Sequence, residues 1–261
     1  MNIAICVKSV PTSESVDINP ETHCREHKNS AMTINPADMN ALTFAVELKK
    51  KYNASLDVFA MGAPSAVTEL YTAIAMGADE GYLVSDKSFA GSDALGTARV
   101  LSQAIAKTKD YDLILCGSIS SDGATGQVGS MIGALLDMPS VTDVRGVEEL
   151  FDSSIAVYKS MYGKTAHLKV ALPCVLTIEL GSNKVILPTL RNRMKAKKKE
   201  IHTMTNETLG LSMTDIGYSG AKSLVDEVYQ VEEKTKTAFW LDGTVEEQAT
   251  TILQLLKERG E

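Results

Sequence analysis

The sequence predicts a Rossmann-like, doubly wound α/β fold: a mostly parallel sheet, a strand hairpin extension, and a C-terminal arm ending in a helix. Three observations predict it. Short apolar runs alternate with helical patterns through the first 140 residues, the arrangement that gives a parallel sheet with helices on both faces. Closely spaced strand patterns follow with no helix between them. The chain closes on an amphipathic stretch over 245–259.

The elements follow in order. Runs 3–7, 81–84 and 113–116 are continuously apolar and 56–60 is broken only by Asp57, as expected of strands buried on both faces. Between them, residues 36–52 put Ala41, Ala45, Leu48 and Tyr52 on one stripe, which predicts a helix. Helices are also expected over 65–76 and 92–107, each opening on a serine that can cap the first turn. A fourth, over 126–136, is stopped by Pro139. Segments 155–158, 168–170 and 175–180 read as strands joined by polar turns such as Tyr162-Gly163-Lys164. Residues 202–236 are polar and aperiodic, so the division expected is a domain over 1–201 and an arm over 202–261. In the last helix Val245, Ala249, Ile252, Leu255 and Leu256 recur at helical spacing.

With 261 residues and 44% apolar content, the chain can fill one large core. Aromatic residues make up only 5%, so that core is mostly Ala, Val, Ile, Leu and Met. A formal charge of −7 argues against nucleic acid, whose phosphates need a basic face. No run approaches the roughly 20 apolar residues that span a bilayer, and the opening strand lacks the features of a secretory leader. Cys6, Cys24, Cys116 and Cys174 are scattered without metal-ligand spacing. A reduced, cytoplasmic protein with neither disulfide nor metal is expected.

In an open parallel sheet, ligands bind beyond the carboxyl ends of the strands, where strand order reverses. The richest such stretch is Gly117-Ser118-Ile119-Ser120-Ser121-Asp122-Gly123-Ala124-Thr125-Gly126-Gln127-Val128-Gly129. Its four glycines and the helix after it suit a phosphate cradle, or equally a plain strand-to-helix turn. Asn35-Pro36-Ala37-Asp38 can cap a helix or reach the same crevice. Lys8 can meet a phosphate or stay solvated. Arg191, Arg193, Lys195, Lys197, Lys198 and Lys199 place six bases in nine positions, a solvated run or an exposed loop that meets acidic partners. No catalytic constellation is present in the pattern.

Several of these segments, in order, resemble the β subunit of electron-transfer flavoproteins. They are Ile5-Cys6-Val7-Lys8-Ser9-Val10-Pro11, Asn35-Pro36-Ala37-Asp38, Met61-Gly62-Ala63-Pro64, Ala75-Met76-Gly77-Ala78-Asp79-Glu80-Gly81-Tyr82, the 122–129 loop, Leu172-Pro173-Cys174-Val175-Leu176-Thr177, and Met194-Lys195-Ala196-Lys197-Lys198-Lys199. The resemblance implies a heterodimer with an FAD-carrying α subunit, exchanging electrons with dehydrogenases of the acyl-CoA dehydrogenase type. It implies AMP in the β crevice or, in electron-bifurcating members, a second FAD reduced by NADH. By position, the contacts it implies are Cys6, Asn35, Pro36, Ala37, Asp38, Met61, Gly62, Gly117, Ser118, Ser121, Asp122, Gly123, Ala124, Thr125, Gly126, Gln127 and Val128, with Lys8 beside them. It also implies a partner-recognition loop over 178–200 with Leu190 as apolar anchor, among Arg191, Arg193, Met194, Lys195 and Lys197 to Lys199. The stretch 77–93 and Gln127-Val128 resemble the bifurcating branch; Ser118 and Ala124 stand where that branch carries an arginine and an acidic residue. A stand-alone adenine-nucleotide enzyme of the same broad fold should carry an HxGH-type motif or an SGGxDS-type loop after a strand, and neither is in the sequence; a stress-type nucleotide sensor would be more compact, without the long basic loop and the arm.

Overall fold

Each continuous apolar run forms a strand because both of its faces are covered. In the computed structural model, residues 1–12, 17–18, 25–26, 31–224 and 240–259 are described. The strands are β1 (Asn2–Cys6), β2 (Ser9–Pro11), β3 (Asp17–Ile18), β4 (Arg25–Glu26), β5 (Met32–Ile34), β6 (Ser55–Met61), β7 (Glu80–Val84), β8 (Leu113–Gly117), β9 (Ser140–Phe151), β10 (Ser154–Met161), β11 (Lys164–Ala171), β12 (Cys174–Ile178) and β13 (Ile201–Met204). The helices are α1 (Pro36–Tyr52), α2 (Val67–Met76), α3 (Ala94–Thr108), α4 (Val128–Leu135), α5 (Leu190–Ala196), α6 (Asn206–Leu209), α7 (Gly217–Gly220) and α8 (Val245–Arg259).

One sheet holds nine strands in the order β11-β10-β9-β12-β8-β1-β6-β7-β13. It is parallel from β9 to β13 and antiparallel in the β9-β10-β11 extension. Along β1, Ile3 and Ile5 join one apolar cluster with α1 and α2; Ala4 and Cys6 join the other with α3 and α4. Two-residue alternation between two covered faces is why the strand reads as unbroken apolar sequence. Each fully buried Ile or Leu contributes about 1.5–3 kcal/mol, and Ile3, Ile5, Leu56, Leu113, Ile114 and Leu115 are all fully buried.

The helix starts differ in detail from expectation. Ser65 lies in a single 3-10 turn, and α2 is preceded by Ala66, which makes no side-chain cap. Asp93, not Ser92, caps α3, its Oδ1 accepting Gly96 N at 2.8 Å; a carboxylate also complements the helix dipole. Helix α4 begins at Val128 rather than 126, because Gly126 takes a φ of +62°. The extension contains one strand more than the pattern suggested. In β9 the apolar residues Val141, Val144, Val147 and Leu150 recur every third position. Register irregularities against β10 absorb the extra residues, as bulges do, and they hide the two-residue period.

The basic segment expected as a loop contains a helix, α5. Thr189 Oγ1 accepts Asn192 N at 3.2 Å as its N-cap, and long unbranched side chains with Ala196 favour the helical state. The segment beyond it is also structured. Strand β13 pairs with β7, and Met204, Leu209 and Ile216 are buried in the α3-side cluster. Asp86 Oδ2 accepts Asn206 N at 3.0 Å, and Asp93 Oδ2 accepts Lys222 N at 2.7 Å. The division expected between 201 and 202 therefore falls inside β13, and the first compact unit runs to Asp226. In the second unit, residues 227–261, Thr244 and Glu247 form a reciprocal capping box at the start of α8. No helix among the described residues is long and apolar enough to cross a membrane.

Candidate functional site

Strand order dictates where a crevice opens. From β1 the chain passes through α1 to β6 and then through α2 to β7, on one side of β1. It then crosses through α3 to β8, on β1's other side. Helices α1 and α2 cover one face, and α3 and α4 the other. The loops after β1 and β8 therefore diverge, and the carboxyl ends of these two strands form the topological switch point.

The side chains there are knit together. Asn35 precedes α1 but makes no side-chain cap. Its Nδ2 donates to Ile119 O at 2.8 Å, and its Oδ1 accepts Ser121 N at 3.1 Å. Asp38 accepts Lys8 N at 2.7 Å and Gly117 N at 3.1 Å, joining α1 to the ends of both strands. The side-chain bonds of Asn35 and Asp38 thus run to the ends of β1 and β8 and the loop after β8 rather than capping the first turn of α1. Burial pushes the Asp38 carboxyl up to about 7, against the opposing pull of the Lys8 N–H, Asn35, the Gly117 N–H and the Lys8 charge. Lys8 Nζ meets Asp122 Oδ1 at 2.6 Å. For Asp122, burial acts upward but is outweighed by Lys8, Ser120 and the Gly123 N–H, so its carboxyl is held below the usual range.

Two glycines are required by this packing. A Cβ on Gly117 would lie 2.7 Å from both the Ala37 carbonyl carbon and Asp38 N. Gly126 needs its left-handed backbone, and Ala124 shares that region at a φ of +51°. The loop brings its free donors outward: Thr125, Gly126 and Gln127 are exposed, and Gln127 precedes α4 without a side-chain cap bond. At the floor, Cys6 and Cys116 are buried free thiols. The Cys6 thiol beside it, together with burial, holds the Cys116 thiol well above its ordinary range.

Of the residues singled out from sequence, Lys8, Asn35, Asp38, Gly117, Ser121, Asp122 and Gly123 are joined by the bonds above. Pro36 opens α1 and Ala37 is buried against Gly117. Ser118 N donates to Ile178 O at 2.9 Å, tying the loop to β12. Met61 and Gly62 close the neighbouring strand β6, with Gly62 N donating to Val84 O at 3.1 Å. Val128 starts α4. Sequence reasoning gave Cys116 no role in the site and covered Ile119 only as part of the 117–128 loop. Ile119 takes part through its carbonyl alone, so its side chain carries no signal; Cys116 read as a strand residue.

The basic residues form a separate surface. Leu190, Arg191, Met194, Lys195 and Lys198 line a groove of about 400 Å³ on α5, which packs on α2. Leu190 is 76% exposed, and Arg193 lies in the last turn of α5. Lys197 follows the helix at its C-cap. Lys199 Nζ is held by Asp79 O at 3.0 Å and Glu80 Oε1 at 3.1 Å.

Fold and crevice together define a doubly wound α/β protein with an open, donor-rich switch point. The family model for the electron transfer flavoprotein domain matches residues 25–209. The chain is 37% identical over 226 residues, 86% of each chain, to the electron transfer flavoprotein subunit beta of Thermoanaerobacterium thermosaccharolyticum. It is 34% identical over 260 residues, 99% of each chain, to caffeyl-CoA reductase-Etf complex subunit CarD of Acetobacterium woodii. It is 32% identical over 267 residues, 99% of each chain, to acryloyl-CoA reductase electron transfer subunit gamma of Anaerotignum propionicum. The chain belongs to the electron transfer flavoprotein family, as a β-type subunit.

Proposed function

We propose that this chain is the β subunit of a cytoplasmic, heterodimeric electron carrier whose α partner holds FAD, and that its own crevice holds the adenylate part of a nucleotide. The observation that carries the proposal is the donor set at the switch point. Lys8, held by Asp122 of the loop after β8, and the exposed residues Thr125 to Gln127 that lead into α4 offer donors at the end of the sheet where an anion would sit. They suit the phosphate of AMP or the diphosphate of a second FAD. Asn35, Asp38 and Met61 would wall the base, and Gly117 to Val128 would wrap the phosphates. A bound flavin supplies the redox chemistry; the chain's residues bind it, orient it and exclude water. No side chain here is asked to react, so the chain is a carrier subunit rather than an enzyme by itself.

The FAD reading is favoured by one observation: two of the relatives named above are subunits of CoA-ester reductase assemblies. Under that reading NADH is the electron donor. The test is to co-express the chain with its α partner, denature the purified complex, and quantify nucleotides by chromatography and mass spectrometry. Two FAD and no AMP per heterodimer supports the second flavin. One FAD and one AMP supports an ordinary carrier. One FAD and no further nucleotide overturns the crevice assignment.

The α5 groove is the proposed docking surface for a dehydrogenase of the acyl-CoA dehydrogenase type. Leu190 and Met194 form its apolar floor, and the surrounding bases speed encounter with an acidic rim. The arm through α8 is proposed to pack on the α partner. Leu190→Ala is expected to raise the apparent KM for the partner dehydrogenase about tenfold, because it truncates an exposed anchor. Its melting temperature should stay unchanged; transfer kinetics equal to wild type would remove the docking role.

A further inference from the structure

Helix α1 serves two places at once. Its first turn, through Asn35 and Asp38, is bonded to the crevice loops. Its next turn is bonded to the segment that leads into α5. Asn40, 4% exposed, uses its whole amide there. Nδ2 donates to Asn183 O at 2.9 Å and to Asn183 Oδ1 at 2.8 Å, and Oδ1 accepts Gly181 N at 3.0 Å. Asn183 Nδ2 returns a bond to Asn40 O at 3.0 Å. Thr43, 1% exposed, accepts Ile186 N at 3.4 Å. Leu190, the start of α5, follows four residues later.

The two sets of contacts are separated by only about 3–12 Å along the helix axis. The stretch between them is regular helix, with Met39 N bonded to Asn35 O at 3.0 Å. Such a short helical stretch moves as one body. Anything that holds the first turn still therefore holds the anchor of the 181–186 segment still.

We infer that Asn40 is the positioning residue that ties the crevice to the docking helix, so that a nucleotide in the crevice stiffens the 181–186 segment. This rests on the nucleotide and docking assignments proposed above. The linkage is reciprocal: a partner seated on α5 tightens nucleotide binding by the same factor.

The experiment compares amide hydrogen exchange across 178–190 in the full chain, stripped of nucleotide and then saturated with AMP or with FAD. In wild type, nucleotide is expected to slow exchange at Gly181 and Ile186 at least about fivefold, the lower end of ordinary allosteric coupling. In Asn40→Ala the same nucleotide should bind within about threefold of wild-type affinity while the slowing disappears. Asn183→Ala, which leaves α1 intact, should behave the same way and covers the case in which the Asn40 variant fails to fold. A residue that merely steadies the segment would raise exchange equally with and without nucleotide. Slowing that survives in either variant overturns the inference, as does bound nucleotide that leaves wild-type exchange unchanged. If neither nucleotide binds wild type, the crevice assignment fails and takes this inference with it.

Discussion

Gly117→Ala is expected to lower unfolding free energy by about 3 kcal/mol, the upper range for overpacking a filled site, and to strip the crevice of nucleotide. The reason is the nature of what a methyl group would strike. Its nearest neighbours include the Ala37 carbonyl carbon and Asp38 N, each at 2.7 Å, and these are backbone atoms that no rotamer change can clear. Asp38 is itself held from two sides, by Lys8 N and by Gly117 N. Relief requires α1 to lift from the sheet or β8 to part from β1, and either movement opens the crevice. Urea unfolding and nucleotide content together measure the effect. A variant within about 0.5 kcal/mol of wild type that still retains nucleotide would show that the close approach is not needed.

The second large effect is a pH dependence carried by Asp38. Asp38 is 7% exposed, and burial pushes its carboxyl up to about 7 from an ordinary 3.8. Between those two values the folded chain keeps a proton that the unfolded chain has released. Raising the pH through this window therefore favours unfolding, by up to about 4 kcal/mol once pH exceeds the folded-state value. Below about 4 both states are protonated and the penalty is absent. Asp79, Asp86, Asp93 and Asp122 are shifted the other way. Their stabilisation is present above the ordinary carboxylate value and is lost only below it, outside the window. Asp38→Asn removes the titration while keeping the side-chain shape. Urea midpoints at pH 5, 6, 7 and 8 should show wild type losing stability relative to Asp38→Asn as pH rises. A constant difference across that range would refute the assignment.

How far the sequence reveals the molecule depends on how local the decisive contact is. Strands β1, β6, β7 and β8 were legible because burial on both faces writes itself into consecutive residues. Helix α1 was legible to both of its ends, Pro36 and Tyr52, since proline, stripe and terminal lysines all agree. Strand β9 was not, because its irregular pairing with β10 moves apolar residues off the expected spacing. The segment after β13 was not legible either: the apolar side chains it buries, Leu209 and Ile216, are too far apart to make a pattern. In the crevice, the glycines announced a tight loop. That Asn35 and Asp38 bond outward to loops 84 and 79 residues away could not be read from a motif that also suits a plain cap. Asn40 gave no signal at all, since its partner lies 143 residues on.

The connection from β12 to β13 has a consequence for how the chain folds. It leaves the sheet at Ile178, passes over α1 and α2, and re-enters at the far edge beside β7. Within the sheet, β13 pairs with residues 120 positions earlier, Ile201 with Gly81, farther apart in sequence than β1 and β8, where Ile3 meets Leu113. Loop closure costs more entropy as separation grows, and non-local pairing slows folding. The edge at β7 thus stays open until most of the chain has been made and folded. Helix α5 lies between the 181–186 segment held by α1 and strand β13, so a nascent or partly folded chain in which that edge is still open anchors it from one side alone.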